Sequence, residues 1–213
     1  MAGVLIVADA LDCHLYQIDA TTGSVLSSCL LPGTHPWGVE VATDGSTWNA
    51  DGNTNGLYDI DTAIIPYPKI YCTAGTSTHG CNASIAADNN PSVAHSNPCH
   101  ITISNVEGLK SGIIFYGINQ MTFTPTPWAN GSSSFLCVKG PTQRTGTVNS
   151  AGTINTCNGA LALDWNAYQT AHPSAAGNPW IAGNKVYAQG WYRDPPAPKT
   201  TNLSNAVELT YMP

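Results

Sequence analysis

The sequence predicts an all-β protein, and three observations carry that prediction. Only 9% of its 213 residues are charged, far below the roughly 25% usual in soluble proteins. Gly, Pro, Ser, Thr and Asn abound instead, which suits short strands joined by many turns. Apolar and polar residues alternate in "GIIFYGI", "KVYAQGWY" and "NAVELTYM", the pattern of half-buried strands. Turn dipeptides such as Thr22-Gly23 and Asp44-Gly45 separate strand-like runs near the N-terminus. A hydrophobic content of 42% is enough for an ordinary core.

The first elements repeat. "VADALDCHLYQIDATTG" at residues 7–23 returns as "NADGNTNGLYDIDTAII" at 49–65, with Asp9 on Asp51, Leu15-Tyr16 on Leu57-Tyr58 and Ile18-Asp19 on Ile60-Asp61, an offset of 42 residues. That spacing falls in the ~40–45 residue period of propeller blades. Between the copies run the strands of "SVLSSCLLP" and "WGVEVATDGSTWNAD". Residues 4–62 resemble blades of the virginiamycin B lyase-like bacterial β-propellers, with "PGTHPWGVEVATDGSTWNADGNTN" as a blade crossing and His35 in blade packing. A propeller closes with about four blades or more, and about one and a half are present. The expectation is therefore a truncated β-propeller fragment over residues 1–65, a partial β-propeller sheet. Its open edges and apolar face need cover from the rest of the chain, another subunit or a missing N-terminal part. Uncovered edges pair with other chains, so a homo-oligomer with residues 1–65 in its interface is expected.

Residues 66–82 read as a disulfide-tied linker and residues 83–213 as an antiparallel β-sandwich. The seven cysteines point to an oxidising compartment, extracellular or cell-surface in the parent protein. The opening "MAGVLIVADALDC" lacks a basic segment and is interrupted by Asp9 and Asp12, so no signal peptide is read in this chain. Proximity in sequence pairs Cys72 with Cys81 and Cys137 with Cys157. Cys13 and Cys29 flank one hairpin and come near each other across it, and Cys99 is left over, on the plain reading a buried or idle thiol. "CTA…GC" from Cys72, "SGIIFYGINQ", "FLCVKGPTQRTG", "ALALDWN", "VYAQGWYRDP" and "LSNAVELTYMP" resemble a C-terminal domain of large secreted and surface proteins of planctomycete-like bacteria. The resemblance spans residues 71–213 and implies a β-sandwich of no established general activity. Pro-rich stretches at 125–127 and 195–198 are loops, and "ALDWNAYQTAH" makes the one helical turn.

Composition excludes several partners. A net charge of -6 without a basic stripe argues against nucleic acid. No apolar run approaches the roughly 18 residues of a membrane span. Gly-x-Ser-x-Gly, His-Glu-x-x-His and phosphate-cradling loops are absent from the sequence.

The chemistry-bearing stretch is "SVAHSNPCHITI", residues 92–103. Three of the six histidines, His79, His95 and His100, fall within 22 residues, beside Cys99 and Asp88. Neutral imidazoles are common zinc ligands, and three protein ligands plus a water make a hydrolytic site. His79, His95 and His100 are accordingly the candidate metal ligands, zinc favoured, with Asp88 or a spare histidine moving the proton. Cys99 is the alternative nucleophile, with His95 or His100 as its base. The plain reading is a polar loop in which Asn97 and Pro98 turn the chain into a strand. Calcium is the lesser metal candidate: "DGNTNG" from Asp51 to Gly56 spaces oxygens suitably, but Thr62 stands where a bidentate Glu belongs. Asp51, Asn53 and Asn55 read more simply as hairpin residues. Trp128, Trp165, Trp180 and Trp191 would form a sugar-stacking face or buried aromatics. Arg193 and Asp194 of "WYRDP" mark a structural corner.

Two functions follow. One is a promiscuous hydrolase of small activated esters or phosphoesters, a small-molecule substrate suiting a shallow site at the domain junction. An elimination on cyclic esters, which the propeller resemblance implies, ranks lower because the blades that would enclose a cavity are few. The other is a non-catalytic extracellular module for adhesion, display or glycan contact.

Overall fold

Short alternating strands punctuated by Gly, Asn and Pro fold as their periodicity requires, and the chain is all-β. A computed structural model describes residues 4–41, 47–60, 68–95 and 98–212. Asp44-Gly45, Asp61, Thr62 and Asn97 lie outside the described residues. Contacts divide the chain into two compact units, Met1–Pro66 and Tyr67–Pro213.

In the first unit β1 (Val4–Asp9), β2 (His14–Asp19) and β3 (Val25–Leu30) form one antiparallel sheet, and β4 (Pro36–Val41), β5 (Thr47–Asp51) and β6 (Gly56–Ile60) form another. The sequence repeat is a repeat of register. β1 pairs β2 through Leu5↔Ile18, Ala8↔Leu15 and Asp9↔His14, and β5 pairs β6 through Thr47↔Ile60, Ala50↔Leu57 and Asp51↔Gly56, each 42 residues on. Leu15, Leu31 and Ile60 close a small core with Ile6, Ala8, Cys29, Val39 and Tyr58. Asp51 holds the β5–β6 turn, accepting hydrogen bonds from the backbone N–H groups of His35, Asn53 and Thr54. Asn55 takes the left-handed conformation there, φ 51°, as Asn tolerates in tight turns.

The second unit comprises β7 (Lys69–Tyr71), β8 (Ser84–Ala87), β9 (His100–Val106), β10 (Ser111–Gly117), β11 (Thr126–Pro127), β12 (Phe135–Leu136), β13 (Gln143–Arg144), β14 (Val148–Asn149), β15 (Gly159–Asp164), α1 (Trp165–Ala171), β16 (Lys185–Arg193) and β17 (Thr201–Thr210). One sheet runs β13-β10-β16-β17-β7 with β14 also on β10, a second runs β15-β9-β8, and β11 pairs β12. Alternation aims Ile85, Ile101, Ile103 and Leu161 of the smaller sheet at Ile114, Tyr116, Val186, Ala188, Val207 and Leu209 of the larger, and these fill one core. Gly190 is required at the closest approach, since a Cβ there would stand 2.3 Å from Ile103 Cδ1. Asp164 caps α1 by accepting the N–H of Ala167. Trp165 is buried from the first turn of α1, donating Nε1–H to Tyr211 Oη at 2.9 Å.

Residues 69–82, expected as a linker, are built into this unit. β7 pairs the edge of β17, and Thr76 bridges Asn82. The cysteine pairing also differs from expectation. Cys72 bonds Cys137 and Cys81 bonds Cys157, closing separations of 65 and 76 residues. Sheet topology decides partners here. Cys72 follows edge strand β7, whose Tyr71 Oη donates to Cys137 O, whereas Cys81 is drawn to the segment before β15. Cys13 and Cys29 are unbridged. Non-reducing peptide mapping should therefore recover 72–137 and 81–157 linked peptides, and recovery of 72–81 would contradict this topology. Two such bridges fit an extracellular location, and among the described residues no helix is long and apolar enough to cross a membrane.

Candidate functional site

Strand β9 decides what the predicted site residues can do. Its inward side chains, Ile101 and Ile103, continue backwards to Cys99, which is fully buried. The Cys99 thiol donates to Asn89 O at 3.2 Å. Burial, followed by the nearby Asp88 and Asp164 carboxylates, pushes its pKa up to about 12. Burial and a raised pKa both disfavour the thiolate that a nucleophilic role for Cys99 would need. Iodoacetamide should leave Cys99 unmodified in the folded protein and label it only after unfolding, read by peptide mass.

The outward neighbour, His100, meets Asp88. Asp88 accepts both the backbone N–H and the Nδ1–H of His100, each at 2.7 Å. Partial burial pushes the Asp88 carboxyl up, but these donors outweigh it and the net shift is down. The same carboxylate raises the pKa of the exposed His100. His95, exposed and at φ 53°, lies 3.3 Å through Nδ1 from Thr170 Oγ1 on α1.

His79 is elsewhere. Its Nδ1–H donates to Glu107 Oε2 at 2.9 Å, and Glu107 follows the far end of β9 from His100. Seven residues of strand separate the two histidine sites by roughly 23 Å. The three expected zinc ligands His79, His95 and His100 are therefore not brought together, His79 standing at the opposite end of β9 from His100. Among the described residues no three His, Cys, Asp or Glu side chains group to hold a metal. The calcium reading of Asp51–Gly56 meets a similar obstacle. Asp51 is occupied by N–H donors, led by His35, which depress its pKa to about 2.

The His79–Glu107 pair is an arrangement that the sequence did not reveal. The loop bearing His79 is held on both sides, by the Cys81–Cys157 bridge and by Thr78 N–H donating to the buried Asp194 at 3.1 Å. Glu107 is 1% exposed, and Lys110 Nζ stands 3.0 Å from its other oxygen. Burial pushes the Glu107 carboxyl up, yet the contacts with His79 and Lys110 outweigh it and hold it below its ordinary value. His79 itself keeps 38% of its side chain exposed. The only cue in the sequence was an acidic residue ending an apolar strand, three positions before a lysine.

The tryptophans do not share a face. Trp165 is in the core and Trp180 stacks on Tyr211 at 4.5 Å. Trp128 and Trp191 pack with Phe115, Val138 and Leu203 and carry Lys199 and Arg193 over their rings. An open depression of about 150 Å3 beside Trp180 and Lys185 contains none of the predicted catalytic or metal-ligating residues, and it is small against the roughly 300–1,000 Å3 of ligand pockets. No family model, curated protein or solved structure matches the chain.

Proposed function

We propose that the chain is a non-catalytic extracellular interaction module, in which the disulfide-braced sandwich is the stable body and the N-terminal unit supplies the docking surface. The observation that carries this reading is the outer face of the β1–β3 sheet. Leu5, Val7, Val25 and Leu30 are exposed there, Leu5 at 53% and Leu30 at 69%. Register and alternation place them on one side with Tyr16 and Ile18. His14 and Tyr16, both bonded to Asp12, give this side a polar rim. An apolar centre within a polar rim is the anatomy of a protein interface.

One observation favours a second reading, hydrolysis of small activated esters. A half-exposed imidazole oriented by a buried carboxylate can take a proton from water, and His79 on Glu107 has that form. Turnover of p-nitrophenyl acetate by the parent and by His79→Asn separates the two. General-base catalysis predicts a loss of about 100-fold in the variant, whereas the interaction module predicts equal background rates for both proteins.

A further inference from the structure

We infer that the docking surface takes a second copy of this chain, head to tail, the exposed face of one copy's β4–β6 sheet seating on the exposed face of the next copy's β1–β3 sheet. This deepens the interaction-module reading and rests on it.

The repeat itself says which face belongs against which. Within the first unit, one side of the β1–β2 hairpin, bearing Ile6, Ala8 and Leu15, packs against the side of the β5–β6 hairpin bearing Tyr58 and Ile60. Shifted by 42 residues, Leu15 corresponds to Leu57, whereas Tyr58 and Ile60 correspond to Tyr16 and Ile18. The packed faces are therefore not equivalent. A leucine side of one repeat meets the tyrosine–isoleucine side of the next.

Each repeat consequently has one side used and one side left over. Leu15 is 2% exposed, while its equivalent Leu57 is 67% exposed. Ile60 is buried, while its equivalent Ile18 is only partly so and has the exposed Leu5 opposite it on β1. The leftover leucine side on β5–β6 and the leftover tyrosine–isoleucine side on β1–β2 are the two halves of the contact that the chain already makes internally. Joining them between copies repeats that contact at its matched positions, Ala50 and Leu57 standing for Ala8 and Leu15 and Tyr16 and Ile18 for Tyr58 and Ile60, with Trp48 and Asp59 in place of Ile6 and Gln17, Glu40 beside Trp48, and Leu5 and Val7 in place of Thr47 and Asn49.

An interface between two different faces is heterologous, and it closes into a ring when its rotation permits. Radial arrays of sheets close at about four to eight, so two sheets per copy give a ring of roughly two to four copies.

The test uses the full chain and light scattering after size exclusion. Leu57→Glu spoils the leucine side, and Leu30→Glu spoils the opposite surface on the β1–β3 sheet. Both positions are exposed, circular dichroism checks the fold, and Ala50→Glu and Leu5→Glu are replacements on the same two faces. The parent should run above monomer mass, each variant alone should run as a monomer, and an equimolar mixture should form a dimer of one copy of each. That mixed dimer arises only if each variant keeps the face that the other has lost. A monomeric parent, or a mixture with no dimer, would overturn the proposal. One variant remaining oligomeric alone would also overturn it, because that result marks an isologous contact through a single face. Mass does not depend on turnover, so His79-dependent esterase activity would overturn the non-catalytic reading and leave these masses standing.

Discussion

Substituting alanine for Trp165, the largest fully buried side chain among the described residues, is expected to lower the stability of the sandwich by about 4 kcal/mol. Trp165 is fully buried at the start of α1, within the core that the two sheets share. It sits edge-on to Tyr116 at 4.8 Å and bonds Tyr211 through Nε1. Alanine would leave a cavity and orphan the Tyr211 hydroxyl, whose neighbour Trp180 stacks upon it. Urea unfolding followed by circular dichroism should show the midpoint falling without a change of slope. Phenylalanine at the same position should recover part of the loss, since it restores volume but not the hydrogen bond.

Removing the Cys81–Cys157 bridge with the double variant Cys81→Ala/Cys157→Ala should cost a similar amount. Closure of a 76-residue separation is worth about 4 kcal/mol in unfolded-chain entropy, and a shift on the order of 10 °C in the melting temperature would report it. The loop carrying His79 should loosen with it, because the bridge is one of its two anchors. An unchanged melting temperature would mean that the bridge does not restrain the unfolded chain as this topology requires.

Acid should unfold the protein through particular carboxylates. Glu107 and Asp88 are held below their ordinary values of 4.5 and 3.8, and Asp51 is held at about 2. A carboxylate depressed in the folded state stabilises it above the unfolded pKa, and that contribution is lost as pH falls through the folded pKa. Melting temperature should therefore decline from about pH 4.5 downward and keep declining toward pH 2. His100 works in the opposite sense. Its raised pKa stabilises the fold below its ordinary value and ceases to do so as pH rises through the folded one. Glu107→Gln should flatten the upper part of the acid limb, and an unaltered profile would contradict the His79–Glu107 contact.

The strands were legible because period-two alternation is a local property. "KVYAQGWY" falls in β16, "NAVELTYM" and "GIIFYGI" fall largely in β17 and β10, and the 42-residue repeat returns as matched hairpin register. The helical turn expected in "ALDWNAYQTAH" is α1, and the structure adds Asp164 as its cap. Burial of Cys99 lay within reach of the same pattern, since it is two residues before Ile101 and four before Ile103 and shares their side of the strand. Pairings that depend on sheet order were not legible. Cys72 is near Cys81 in sequence, but the edge position of β7 gives it to Cys137. His79 is near His95 and His100 in sequence, but the length of β9 puts it at the opposite end, against a carboxylate 28 residues away. Clustering of ligand-type residues along a chain predicts a site only when the fold returns them to one place.

Side-chain footprinting by hydroxyl radicals, at protein concentrations above and below association, tests the docking surface most directly. Leu5, Leu30 and Leu57 should lose reactivity together on concentration, because they lie on the two faces that meet. Leu11, 97% exposed in the β1–β2 turn, and Ile154 and Ile181 of the sandwich should remain unchanged. Constant oxidation of Leu5, Leu30 and Leu57 at every concentration would contradict association through these faces.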